Sequence, residues 1–169
     1  MRLTEKRAKA LLFAVTVVGA GGLAWAQVPK TPAEVIPYRQ QAMKNLGGAF
    51  KAVNDQVRSP MPNVDTIKAS IPAMQKVATE LPSFFPAGSG PETGVTMTAK
   101  AEIWTNASGF ADKVKALQTA VQGLATAAAG GDTAAITAAA APVGQACQGC
   151  HSEFRVRPAP RPAPAAPAS

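Results

Sequence analysis

The chain has one histidine and two cysteines among 169 residues, and that scarcity closes off several chemistries at once. A structural zinc site normally takes four Cys or His ligands, and only three such residues exist here. With a single imidazole and no evident Ser/His/Asp or paired-carboxylate arrangement, no catalytic machinery is expected, and the chain is read as something other than an enzyme. Seventeen Lys and Arg against ten Asp and Glu give a formal charge of +7. The basic residues form no block, so nucleic-acid binding is not indicated. No segment alternates apolar and polar residues over a useful length, which removes a sheet from expectation. The longest apolar run, Leu11 to Val18, falls short of the roughly 20 residues a membrane-spanning helix needs.

What is present is concentrated in one place. Both cysteines and the histidine lie within Cys147-Gln148-Gly149-Cys150-His151. The pattern Cys-x-x-Cys-His is the attachment signature of c-type haem, in which two thiols add across the porphyrin's vinyl groups and the adjacent imidazole becomes an axial iron ligand. Residues three and four apart share a helix face, so Cys147, Cys150 and His151 can meet one porphyrin. A thioredoxin-like dithiol would sit near a βαβ pattern, and a disulfide between residues three apart would close a very small loop. Neither context is found, and the expected cofactor is one covalently attached haem c.

The first 26 residues read as an export signal. Arg2, Lys6, Arg7 and Lys9 precede the apolar run, and Ala24-Trp25-Ala26 supplies a small-x-small cleavage pattern before Gln27. Cleavage there removes four basic residues and Glu5, leaving 13 Lys and Arg against 9 Asp and Glu, so the formal charge falls from +7 to +4. Export and thiol-attached haem together predict the bacterial periplasm, with no membrane span once the signal is removed. A mildly basic mature surface is compatible with an acidic redox partner.

Along the mature chain, Thr31-Pro32-Ala33-Glu34 has the form of a helix start, with a hydroxyl cap, proline at the first position and Glu three residues after the cap. Pro37 leaves two options, a kink in that helix or a start at Pro37 itself. Met43, Leu46, Phe50, Val53 and Val57 then recur at helical spacing. Ser59-Pro60-Met61-Pro62-Asn63 ends this helix, and Ile67, Ile71, Met74, Ala78 and Leu81 mark a second, with Pro72 inside it. Residues 82–98 read as a long loop, whose Phe84 and Phe85 pack either on the core or over a haem edge. Ile103, Ala107, Phe110, Val114, Leu117, Val121 and Leu124 predict an unbroken third helix. After a Gly130-Gly131-Asp132 turn, Ile136, Ala140, Val143, Cys147, Cys150 and Phe154 carry the same spacing through the haem motif.

The fold expected from this pattern is all-α, an antiparallel up-down-up-down four-helix bundle with haem attached to the last helix. It divides into the signal (1–26), the helical domain (27–157) and an extended, disordered Pro/Ala-rich tail (158–169).

Tyr38-Arg39-Gln40-Gln41-Ala42-Met43, Glu102-Ile103-Trp104 and Cys147 through Arg155 together resemble the class II c-type cytochromes, the cytochrome c′ family with its low-spin, Met-ligated relatives. The resemblance runs from about Thr31 to Arg155. It implies that Cys147 and Cys150 form the thioethers, that His151 is the proximal iron ligand, that Arg155 is a proximal arginine and that Arg39 lies near a haem propionate. Arg155 is also open to reading as a cation at a helix C-terminus, and Arg39 as half of a surface salt bridge. Met43 matches the distal position. A methionine there ligates iron in the low-spin relatives, whereas five-coordinate members leave that face to nitric oxide or carbon monoxide. Loop residues 81–89 look more like the low-spin relatives, and a thioether ligand suits electron transfer by raising the potential. The expectation taken forward is a monohaem electron carrier between periplasmic redox proteins, with Met43 on iron; a gas-binding protein is the alternative. The resemblance also leaves a homodimer among the possible assemblies.

Overall fold

A computed structural model describes residues 31–157. The expected signal (1–26), the first residues of the mature chain and the Pro/Ala-rich tail (158–169) lie outside the described residues.

Five α-helices occur among these residues: α1 (Pro32–Val57), α2 (Val64–Glu80), the single turn α3 (Glu102–Thr105), α4 (Ala107–Gly130) and α5 (Thr133–Phe154). The four long ones form the up-down-up-down bundle that the pattern predicts. α1 packs on α2, α2 on α4 and α4 on α5, whereas α1 and α5 touch only sparsely. No strand is present among the described residues, only one isolated antiparallel bridge between Ala99 and Arg155.

Local chemistry accounts for where each helix begins. The Thr31 hydroxyl accepts the Glu34 N–H at 3.3 Å while the Glu34 carboxylate accepts the Thr31 N–H at 3.0 Å. This reciprocal cap, worth about 1 kcal/mol, fixes the start of α1 at Pro32, and the helix continues through Pro37. Asn63 caps α2 and Asp132 caps α5 more simply, each through a side-chain oxygen that accepts one N–H, from Thr66 and from Ala134, both at 2.9 Å. Gly131, at φ 77°, supplies the left-handed residue that ends α4. Pro72 and Pro142 lie inside α2 and α5 without ending either helix.

The third helix departs from expectation. It is broken at Asn106, which leaves helical geometry (φ −120°, ψ 58°) so that its side chain can accept the Gly109 N–H at 3.2 Å. Asn competes for local backbone groups in this way, and the competition outweighs continuity here. Ala107, expected on the buried stripe, is exposed as a result.

The core follows the other spacings closely. Ile67, Ile71, Met74, Ala78 and Leu81 of the second stripe are all buried, as are Val114, Leu117, Val121 and Leu124 of α4. Leu124 is fully enclosed. Leu124→Ala should therefore lower stability by about 2–5 kcal/mol, read as a fall in the urea midpoint of the haem-loaded protein at unchanged slope.

Candidate functional site

The sparse contact between α1 and α5 has a cause: a cavity of about 590 Å³ lies along both helices, with α4 and the loop 81–101 completing its walls. This is within the range of small-molecule and cofactor pockets. Cys147, Cys150 and His151 line it from α5, and Arg39 and Met43 from α1. Arg155 lines it from the C-terminal end of α5. All six residues singled out from the sequence thus meet around one space.

Both cysteines are free and half-buried. Burial pushes each thiol up from its ordinary value, and the neighbouring Cys147 adds to the effect at Cys150. Packing around part of the His151 ring lowers its pKa, with a further contribution from the Arg155 cation, although the residue keeps substantial exposed surface. Near neutral pH these effects favour thiols and a neutral imidazole, and a neutral imidazole is the ligating form.

Arg155 stands at the helix C-terminus, as one of its two readings has it: it is the C-cap of α5, extended at φ −122° and ψ 134°. The reason is a short backbone pairing. The Lys100 N–H donates to the Phe154 carbonyl at 3.0 Å and the Val156 N–H to the Thr98 carbonyl at 2.7 Å, which draws the chain out of the helix between them. The Arg155 N–H still reaches the His151 carbonyl at 3.3 Å.

Arg39 is no surface residue. It is 3% exposed, and its Nη1 donates to the carbonyl and hydroxyl of Ser89 at 2.8 and 3.2 Å. Nη2 contacts the Met97 sulfur at 2.9 Å, and the guanidinium lies 5.0 Å from the Phe85 ring centroid and 5.7 Å from that of Trp104. The surface salt bridge expected as an alternative is thereby replaced by a buried cation held on carbonyl, hydroxyl, sulfur and aromatic faces. Burial lowers its pKa, which the Glu92 charge partly offsets. Three of the five guanidinium N–H donors are used. A buried cation with donors to spare on a cavity wall is suited to an anionic group of a ligand.

The two loop phenylalanines divide the two roles open to them. Phe84 is buried edge-on against Tyr38, with centroids 5.4 Å apart, and belongs to the core. Phe85 lines the cavity, its ring 4.9 Å from that of Phe110, which in turn meets Phe154 at 5.4 Å. The Trp104 indole N–H ties the loop down through the Pro86 carbonyl at 3.0 Å. Ser89 and Met97 were not legible as site residues. Ser89 sits in a Pro/Gly-rich stretch like any turn residue, yet is fully buried; only the length of the loop hinted at a role.

The lining therefore fits a covalently held haem. Two thiols and an imidazole lie along one wall, apolar and aromatic side chains such as Leu46, Phe50, Phe85 and Leu117 make the faces, and a buried cation stands ready for an acidic substituent. No described helix is long and apolar enough to cross a membrane.

Comparison with known proteins agrees with this construction. Residues 34–155 match the family model for cytochrome c′. Cytochrome c′ of Pararhodospirillum photometricum is 38% identical over 128 residues, covering 74% of this chain and 98% of that protein. The crystal structure of cytochrome c′ from Thermochromatium tepidum superimposes with a TM-score of 0.70 at 26% identity, over 75% of this chain and 98% of the other. Variants of cytochrome c prime from Alcaligenes xylosoxidans, one bound to nitric oxide and one to carbon monoxide, each superimpose with a TM-score of 0.68 at 27% identity, over 76% of this chain and 98% of theirs.

Proposed function

This chain belongs to the cytochrome c′ family, and from that premise we propose that it is an exported haem protein whose iron offers its distal face to small uncharged gases, nitric oxide or carbon monoxide. Members of the family carry haem c attached covalently. When bound, the group supplies an iron centre that changes oxidation state by one electron and accepts diatomic ligands.

The chain's own residues then take distinct parts. Cys147 and Cys150 provide the two thioether links, and His151 is the proximal ligand. Arg155, whose cation already lowers the His151 pKa, stands on the proximal side. Arg39 offers its spare N–H donors to a propionate while Ser89 and Met97 hold it in place. Residues 1–26 act as the signal that takes the chain to the periplasm, leaving the helical domain and the Pro/Ala-rich tail; redox proteins there deliver or remove the electron. No catalytic residue is assigned.

The observation that carries the gas reading is the lining. Beside the cations Arg39, Lys44, Lys113 and Arg155, the cavity that holds His151 is bounded largely by apolar and aromatic groups such as Leu46, Phe50, Phe85, Ile103, Phe110 and Leu117. A neutral diatomic molecule needs no charge or hydrogen-bond partner to enter that apolar part. The nitric oxide and carbon monoxide complexes of the Alcaligenes variants support the same reading. Electron carriage is favoured by one specific observation, that the Met43 thioether shares the cavity with His151.

A single spectrum separates the two. The gas reading expects a high-spin ferric protein whose spectrum is unchanged in Met43→Ala, and a ferrous form that takes up carbon monoxide. A low-spin ferric spectrum with a sulfur-to-iron charge-transfer band that vanishes in Met43→Ala would overturn it in favour of the electron carrier.

A further inference from the structure

Two consecutive glycines, Gly47 and Gly48, stand in the middle of α1. Glycine inside a helix costs about 1 kcal/mol relative to alanine. Neither residue offsets that cost by close packing, since an added Cβ would meet nothing within 4 Å at either position. Both are exposed, but their surroundings differ: Gly47 lines the cavity that holds Cys150 and His151, and Gly48 does not. Gln40, Lys44 and Gly47 of α1 are all exposed on the edge of the cavity, and of these Gly47 alone brings no side chain to cover it.

The surroundings of Gly47 are also defined. Met43, one turn earlier, lines the cavity, as do Lys44 and Phe50 on either side. Phe50 reaches across to α5, where its ring lies 3.7 Å from a Cβ placed on Gly144, so the two helices meet one turn beyond Gly47. We propose that Gly47 is a window through the α1 wall by which small uncharged ligands reach the distal side of the cavity, and that its missing side chain sets the size limit for entry. The inference rests on the gas-binding reading and adds a residue that decides which ligands pass. A leucine side chain on a helix leans back toward the N-terminus, here over Met43, and would cover the opening.

The test compares Gly47→Leu with Gly48→Leu in the haem-loaded ferrous protein. Both changes improve helix propensity equally, so a general effect on stability or rigidity moves both. Entry is timed by flash photolysis with carbon monoxide and with n-butyl isocyanide, a bulkier neutral ligand. Gly47→Leu should slow carbon monoxide entry from solvent about tenfold, equivalent to about 1.4 kcal/mol of barrier, and slow the isocyanide more, while Gly48→Leu stays within about twofold of the unaltered protein. Unchanged rates in Gly47→Leu, or equal slowing in both variants, would overturn the window and leave gas binding standing. Failure of the unaltered protein to form a carbon monoxide adduct would overturn the gas reading, and the window with it.

Discussion

Cys147→Ala combined with Cys150→Ala should yield, after expression with haem-maturation machinery, a chain from which haem separates completely on acid–acetone extraction. Each thioether forms when a thiol adds across a vinyl group, sulfur bonding to one carbon and the proton going to the other, and the described residues contain no other thiol. Each single variant should keep at most one link. Mass spectrometry reads the difference as the absence or presence of the haem mass on the denatured chain. Retention of the full haem mass by the double variant would place the attachment elsewhere and defeat the assignment of α5 as the haem-bearing helix. The expected loss extends beyond colour. A cavity of about 590 Å³ would stand without its occupant, and a bound group stabilises the folded state by its binding free energy. The double variant should unfold at lower urea than the haem-loaded protein.

Arg39→Met should have the second largest effect, and through two separable terms. The first is structural: the Ser89 carbonyl and hydroxyl, buried in the loop, lose their guanidinium donor. Hydrogen bonds to charged groups contribute about 1.5–3 kcal/mol each, so a loss of at least about 2 kcal/mol is expected, visible as faster amide exchange across residues 86–97. The second is electrostatic. An arginine beside a propionate cancels negative charge near the iron, and removing it favours the ferric state, so the midpoint potential should fall. Arg39→Lys should recover part of the potential but little of the loop protection, because a lysine ammonium lacks the planar fork that reaches two Ser89 acceptors. A potential unmoved by either change would remove Arg39 from the haem environment and leave it a purely structural residue.

The bundle was legible wherever a stripe faced a neighbouring helix. Ile67 through Leu81 and Val114 through Leu124 needed only their spacing to be placed in the core. Periodicity failed at Asn106, because a hydrophobic stripe records which face is buried and not whether the backbone is continuous; a single capping side chain broke the helix without disturbing Ile103 or Phe110, both buried. The cavity-facing positions on the helices were equally readable, since Arg39, Met43, Cys147, Cys150 and His151 line one space through helical geometry. The loop was not. Ser89, Met97 and Phe85 owe their positions to contacts with Arg39, Trp104 and Phe110 far away in sequence, and no local pattern announces such pairing. The state of iron's distal face was beyond the sequence for a different reason. Met43 is chemically fit both to ligate and to pack, and residue identity does not choose between those uses.

The short backbone pairing of Thr98 to Lys100 with Phe154 to Val156 has a practical consequence. The last turn of a terminal helix ordinarily frays, and here that turn carries His151. With Phe154 and Val156 fastened to a loop that Trp104 and Arg39 fasten in turn, a pull applied beyond Arg157 is borne by the loop before it reaches His151, the proposed iron ligand. A linker, fluorophore or electrode tether joined after Arg157 should therefore leave the haem spectrum and potential undisturbed, which makes that end of the domain the natural handle for wiring it to a surface.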